Sequence, residues 1–301
     1  MNEKLLIDTI IQWNFSEEEV SKTYLKAFRK KMIQKLKNKN NYLSYEFHNR
    51  KIEKLVLAEF SNTPFELDRI NILCFHFSDQ KSIKKELISL REFFKPKKLK
   101  IVLSVQHHQK KMQALLKRMG FLSNGIRLKA STSDSYNTMI NMKITNLPKE
   151  YSIRLMNFKQ DIDKVMSIEL RAHKNEPSSV VHKLPKKHWE FFRKLLRGLS
   201  KKKYTFILEY KRKPIGFIAY NKCKEYNGNG IITTISLDPK FKGKGLSKYL
   251  YLKLLQEFKS KRIKKYYGYS KTEQVLKFSK KLKRKPSVYS FVLGKDKLSI
   301  I

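Results

Sequence analysis

Gly230-Ile-Ile-Thr-Thr-Ile-Ser-Leu237, then Asp238-Pro239, then Lys240-Phe-Lys-Gly-Lys-Gly-Leu-Ser247 is the stretch on which the reading of this chain turns. The apolar, β-branched run predicts a strand and the two glycines predict a turn. Leu246, Leu250, Leu254 and Phe258, four residues apart, predict a helix packed on a sheet, with Lys248, Lys253 and Lys259 facing outward. Strand, glycine turn and helix in that order aim backbone N–H groups at a phosphate, and the helix dipole adds to the attraction.

Upstream, Asn227-Gly228-Asn229-Gly230 predicts a tight turn, and Tyr204–Tyr210 and Pro214–Tyr220, joined by Lys211-Arg212-Lys213, predict paired strands. Farther back, Asn146–Glu150 reads as a linker and Tyr151–Leu155 as a strand. Asp161 is placed to cap a helix over Ile162–Arg171, and His188–Gly198 reads as a helix with Trp189, Phe192 and Leu196 on one face. Downstream come a short strand at Lys264–Ser270, a helix at Thr272–Leu282 and a last strand at Val288–Leu293. In the first half, Ser16 and Glu19 form a capping box opening a helix that runs to about Lys37. Strands follow at Tyr42–Phe47, Lys54–Phe60 and Ile70–Phe77, a helix around Ser82–Phe94 and a strand at Leu99–Gln106. A helix at His108–Met119 and a strand at Gly125–Ala130 complete this half. The order is mixed α/β.

With 301 residues the chain has room for one large domain or two of ordinary size, and 41% hydrophobic content excludes the composition of a disordered chain. Sixty-seven Lys and Arg against 26 Asp and Glu give a net charge of +41, spread along the whole length. That charge fits an anionic partner such as nucleic acid, a membrane surface or a phosphorylated ligand, and it equally fits the lysine-rich habit of AT-rich genomes. Cys74 and Cys223 are far apart, which argues against a disulfide framework or a cysteine metal site and suits a reducing compartment. The N-terminus has no signal-peptide-like run, and no stretch approaches the ~18 apolar residues that cross a bilayer. A cytoplasmic protein is expected. His107 and His108 point in different directions, and with His76 they have no carboxylate at helical spacing, so no metal site is expected.

The second half resembles the GNAT superfamily of N-acyltransferases. That family's cofactor signature is Arg or Gln, two residues, Gly, one residue, then Gly or Ala, between strand four and helix three. Lys240-Phe241-Lys242-Gly243-Lys244-Gly245 matches it with Lys240 in place of Arg or Gln. A second family motif is Asn, an apolar residue at plus three, and Gly-Phe or Gly-Arg at plus eleven. It falls on Thr272, Val275, Lys283 and Arg284, with Thr for Asn and Lys for Gly. At plus seven, where the family often has a tyrosine that protonates the leaving thiolate, this chain has Ser279. In the first half Gln109, Met112, Leu116, Gly120 and Phe121 keep the second motif's spacing, but Phe77–Ile83, in the slot of the glycine turn, has no glycine. The resemblance implies an α/β (α+β) chain of two tandem GNAT-like domains, each a mixed, mostly antiparallel sheet flanked by helices. Residues 1–147 would be a degenerate copy, and 148–301 the N-acetyltransferase domain with the one cofactor site.

The resemblance also implies the chemistry. Acetyl-CoA is the co-substrate, its thioester beside strand four and its pyrophosphate on the amides of Lys242 through Ser247. The cofactor-binding set is then Ser236, Leu237, Lys242, Gly243, Lys244, Gly245, Leu246, Ser247 and Thr272, with Lys242, Lys244 and Lys248 adding charge. The amine must lose a proton before it attacks, which calls for a general base. Ile231–Leu237 contains no glutamate, so Glu176 and Glu225 are the nearest candidates, while Asp238 before Pro239 suits a turn. His173, His182 and His188 border the expected acceptor pocket, and Tyr269 and Ser279 are the candidates for protonating the thiolate. The leading expectation is an acyl-CoA-dependent N-acyltransferase acting on a primary amine, with no metal. The alternatives are a transferase taking its group from an aminoacyl-tRNA, or a non-catalytic nucleic-acid-binding protein on the same scaffold.

Overall fold

A computed structural model of the chain describes residues 3–15, 20–49, 51–63, 66–77, 82–94, 100–142, 144, 146–173, 186–223 and 227–293. In chain order the elements are α1 (Glu3–Phe15), α2 (Lys22–Lys37), β1 (Tyr42–His48), β2 (Lys51–Thr63), β3 (Glu66–Phe77), α3 (Ser82–Phe93), β4 (Lys100–Gln106), α4 (Lys110–Arg118), β5 (Leu122–Ser131) and α5 (Thr132–Asn141). They continue with β6 (Tyr151–Leu155), α6 (Phe158–His173), α7 (Lys186–Lys201), β7 (Thr205–Tyr210), β8 (Lys213–Cys223), β9 (Asn229–Leu237), α8 (Ser247–Ser260), β10 (Lys265–Ser270), α9 (Glu273–Lys281) and β11 (Lys285–Leu293).

Contacts divide the chain into two units, one of Met1–Arg127, Lys224–Asn227 and Pro286–Ile301, the other of Leu128–Cys223 and Gly228–Lys285. Each is a mixed sheet flanked by helices, the same α/β plan in two copies. The first unit takes β11 from the end of the chain; the second takes the last residues of β5, and α5, from before residue 147.

In the first unit the strands run β1-β2-β3-β4-β11, with the opening residues of β5 beside β11. β3 and β4 are parallel and the pairs β1·β2, β2·β3 and β4·β11 antiparallel. Their alternating apolar residues, among them Leu55, Leu57, Phe75, Ile101 and Leu103, form one core with Leu6 and Ile10 of α1 and Leu36 of α2. The register of β2 with β3 slips between Leu57 and Ala58, leaving Leu73 as an extra residue, and β3 stops pairing with β4 after Ile72↔Leu103.

In the second unit the order is the end of β5, then β10-β9-β8-β7-β6. β9 and β10 are parallel, whereas β6·β7, β7·β8 and β8·β9 are antiparallel. This sheet has a core on each face. Leu250, Leu254 and Phe258 of α8 and Met139 of α5 fill one; Val165 and Ile168 of α6 and Leu196 of α7 fill the other, against Ile207, Phe217 and Ala219.

Four elements differ from expectation. The helix expected from Ser16 begins at Lys22, capped by Ser21, whose Oγ accepts the Tyr24 N–H at 3.2 Å; Ser16–Glu19 lie outside the described residues. A separate helix, α1, precedes it, and α5 occupies a stretch for which no helix was expected, although Ser131 and Asp134 stand at the spacing of a capping box. Asp161 lies inside α6 rather than capping it, because its carboxylate takes the Asn157 N–H at 2.8 Å and the Arg154 guanidinium at 2.7 and 2.8 Å. Cys74 and Cys223 are both buried. Among the described residues no helix is long and apolar enough to cross a membrane, and no three of His, Cys, Asp and Glu gather to hold a metal ion.

Candidate active site

β8 and β9 do not pair evenly. Ala219 lies opposite Thr234 and Tyr220 opposite Ile232, so Thr233 is an extra residue. Side chains alternate faces along a strand, and one inserted residue moves those beyond it to the other face. Ile232 therefore packs with α8, while Thr234 and Ser236 turn toward α6 and meet Glu169 there. Ser236 Oγ donates to Glu169 Oε2, and Thr234 Oγ1 lies 3.3 Å from both carboxylate oxygens. His173, one turn along α6, holds Nε2 3.4 Å from Glu169 Oε1 and 3.5 Å from Ser236 Oγ. Glu169 is only 8% exposed. A buried carboxylate fixed by two hydroxyls beside an imidazole is equipped to accept a proton from a neighbouring group.

Near the same bulge β9 parts from β10. Their register holds Gly230↔Tyr266 and Ile231↔Tyr267 and goes no further, so Ile232–Leu237 and Gly268–Ser270 leave a fork between the strands.

Beyond the fork the chain enters the glycine turn. Asp238 caps a short 3-10 turn, Pro239–Phe241, by accepting the Lys240 N–H at 3.1 Å, and its other oxygen takes Arg171 Nε and Nη2 at 3.0 and 2.7 Å. Lys242 Nζ donates to the Ala172 carbonyl at 2.9 Å. Both ties fasten the turn to the end of α6 that carries His173. Gly243 and Gly245 have φ of +82° and +71°, which is strained for other residues; a Cβ at Gly243 would meet nothing within 4 Å, so conformation rather than space requires the glycine. Among the described residues the N–H groups of Gly243 through Ser247 bond to no other backbone group, and Leu246 gives α8 no side-chain cap. Free donors at a helix N-terminus form an anion site. Lys244 lies over the Phe241 ring and Lys248 over the Tyr249 ring, each at 5.1 Å.

The remaining expected residues scatter around this centre. Leu237 packs on the α8 face. Thr272 caps α9, its Oγ1 accepting the Val275 N–H at 3.4 Å. Tyr269 is 57% exposed, whereas Ser279 is buried and accepts an N–H from Arg284 Nη1 at 3.1 Å. Glu176, Glu225, His182 and the side chain of His188 lie outside the described residues. Sequence reasoning passed over Glu169. Its signal is an acid standing in the apolar row of Ile162, Val165 and Ile168, four residues before His173.

The first unit keeps the bulge but closes its fork. Leu73 gives its carbonyl to Asn14 Nδ2 at 3.0 Å, and Gln106 Nε2 donates to the Asn14 carbonyl at 2.7 Å. A cavity of about 540 Å³ nearby is lined by Trp13, His76, Phe77 and residues 108–112. It lies far in sequence from the glycine turn, and the free amides mark the second unit as the better site.

Residues 164–278 match the acetyltransferase (GNAT) family. No curated protein matches the chain. A tandem GNAT protein from the clavulanic acid biosynthesis pathway is similar over 98% of this chain and 96% of its own, with a TM-score of 0.57 and 11% identity. A GCN5-related N-acetyltransferase from Sphaerobacter thermophilus is similar over 82% of this chain and 78% of its own, with a TM-score of 0.57 and 9% identity. The glucosamine N-acetyltransferase region of a fungal multi-domain GH3 β-N-acetylglucosaminidase covers 97% of this chain and 36% of that protein, with a TM-score of 0.60 and 11% identity. At these identities the likeness is one of fold.

Proposed function

We propose that this chain, whose residues 164–278 belong to the GNAT acetyltransferase family and whose fold is that of the tandem GNAT proteins, is an acyl-CoA-dependent N-acyltransferase that moves an acetyl group from acetyl-CoA to a primary amine. The observation that carries this reading is the run of amides from Gly243 to Ser247, which bond to no other backbone group among the described residues, at the start of α8, where Leu246 gives no side-chain cap. Those donors suit a pyrophosphate, and the two left-handed glycines keep the approach to them open. The fork between β9 and β10 suits an extended chain entering beside β9. When bound, the thioester supplies the activated carbonyl.

The rest of the chemistry falls to this chain's own residues. Glu169, with His173 beside it, takes the proton of the attacking amine, the part assigned from sequence to Glu176 and Glu225. The bulge at Thr233 interrupts the ladder at the fork, where an unpaired N–H would polarise the carbonyl. Two sequence copies meeting between residues 147 and 148 share the work unequally. The first, with Asn14 in its fork and no glycine in its turn, serves as structure or faces the acceptor.

Calorimetric titration with acetyl-CoA tests the reading. The wild type should bind at a single site, and Gly245→Glu, which sets a carboxylate and a side chain at φ +71° among the amides, should abolish binding. No binding by the wild type removes the proposal. A screen of amines and peptides for thiol release then identifies the acceptor.

A further inference from the structure

Arg284 is a buried cation, 4% exposed, with no carboxylate paired to it among the described residues. It follows α9 and lies against α8 and β10. Nη1 donates to Ser279 Oγ at 3.1 Å and to Tyr251 Oη at 3.4 Å. Among the described residues Nε and Nη2 have no hydrogen-bond partner. The guanidinium carbon stands 5.5 Å from the centre of the Tyr266 ring, and burial raises the pKa of that phenol to about 12, so Tyr266 brings no counter-charge. Buried charge with orphaned donors is costly, and native proteins seldom keep it without a use.

The orphaned donors have an address. A Cβ on Gly268 would come within 2.5 Å of Nη2 and 3.4 Å of Ile232 Cβ, so the guanidinium occupies room that only glycine leaves. Gly268 and Ile232 are the first residues past the last rung, Ile231↔Tyr267. Nη2 therefore lies at the point where β9 and β10 separate.

We infer that Arg284 is the leaving-group cation of the transfer reaction, its free Nε–H and Nη2–H receiving the sulfur that departs as thiolate. This rests on the acyl-CoA reading above. In the step, the amine nitrogen forms the new C–N bond and the C–S bond breaks with its electron pair on sulfur. The amine proton passes to Glu169. Arg284 gives up no proton, since a guanidinium stays charged, and it stabilises the new charge by proximity alone.

Binding of CoA and of desulfo-CoA, measured by calorimetry over a pH range that extends up to the pKa of the free CoA thiol, which lies above the ~8.5 of a cysteine, tests this without turnover. In the wild type the preference for CoA over desulfo-CoA should grow with pH, by about tenfold for each unit by which the bound thiol's pKa falls. Arg284→Met, of similar length without charge, should lose that preference and keep its affinity for desulfo-CoA. An equal loss for both ligands, or an unchanged preference in the variant, overturns the inference. Should Arg284→Met fail to fold, the wild type decides alone, because a ratio flat with pH rules out a thiolate partner. Absence of binding by both ligands sinks the acyl-CoA reading and this inference with it, whereas binding without preference sinks this inference only.

Discussion

Glu169 and the two turn glycines mark the opposite ends of what a residue reveals in sequence. Gly243 and Gly245 announce themselves, because few other residues hold φ of +82° or +71° comfortably and their spacing places them before a helix. Glu169 is silent. Its value depends on Thr234 and Ser236 facing α6, and they do so only because Thr233 is inserted into β9. A bulge leaves no mark in a run of Ile, Thr and Ser. Lys242 shows a different gap: counted among charges for a phosphate, it spends its ammonium on the Ala172 carbonyl. The base assignment is checked by Glu169→Gln, which keeps an acceptor for the hydroxyls but cannot take a proton. Turnover of acetyl-CoA, followed by thiol release, should drop by about 10²–10⁴-fold while acetyl-CoA affinity holds. A turnover within a factor of about two of wild type would return the role of base to another group.

Elements were legible where their own residues decide them. The strands of the second unit and the helix after the glycine turn lie within a few residues of their apolar patterns, since period and burial agree there. α5 is the counterexample. Thr132-Ser-Asp-Ser-Tyr-Asn-Thr is poor helix material; Ser131 gives it a local cap, and its surroundings do the rest: Ser135 Oγ donates to the Leu282 carbonyl at 2.7 Å, Tyr266 Oη donates to Ser135 at 3.0 Å, and Met139 is fully buried. The join of β6 to α6 has a comparable tertiary origin. Arg154 holds Asp161 by two hydrogen bonds and Glu209 through Nε at 3.0 Å. Burial opposes ionisation of Asp161, but Arg154 and the Asn157 N–H more than offset it and keep the carboxyl below its ordinary range. Because the folded pKa is depressed, the stability this group adds is present above the unfolded value of ~3.9 and is lost as pH falls through the folded one. Asp161→Asn should therefore cost about 1–3 kcal/mol in urea unfolding near neutral pH and flatten the acid limb of the stability profile. An acid limb as steep as that of the wild type would assign it to other carboxylates.

At the scale of the molecule, the repeated plan was readable because one order of elements recurs, and a second motif spacing survives at Gln109 to Phe121 even where the glycines do not. The exchange that gives β11 to the first unit was not. An apolar alternating strand carries no label for its neighbour, and β11 finds β4 across a separation in sequence of more than half the chain. Charge is the other property of the whole. A net +41 on 301 residues acts through self-repulsion, which opposes compaction, and through anions, which relieve it. The two contributions separate by experiment. Raising sodium chloride from about 0.01 to about 0.15 M shortens the screening length from ~30 to ~8 Å and should raise the melting temperature of the wild type and of Gly245→Glu alike. At fixed ionic strength, replacing part of the chloride by pyrophosphate should raise it further in the wild type only, since a ligand that binds the folded state stabilises it by mass action at the Gly243–Ser247 amides. Equal responses of both proteins to pyrophosphate would mean that the anion meets the general lysine surface, and the turn would lose its claim to be a phosphate site.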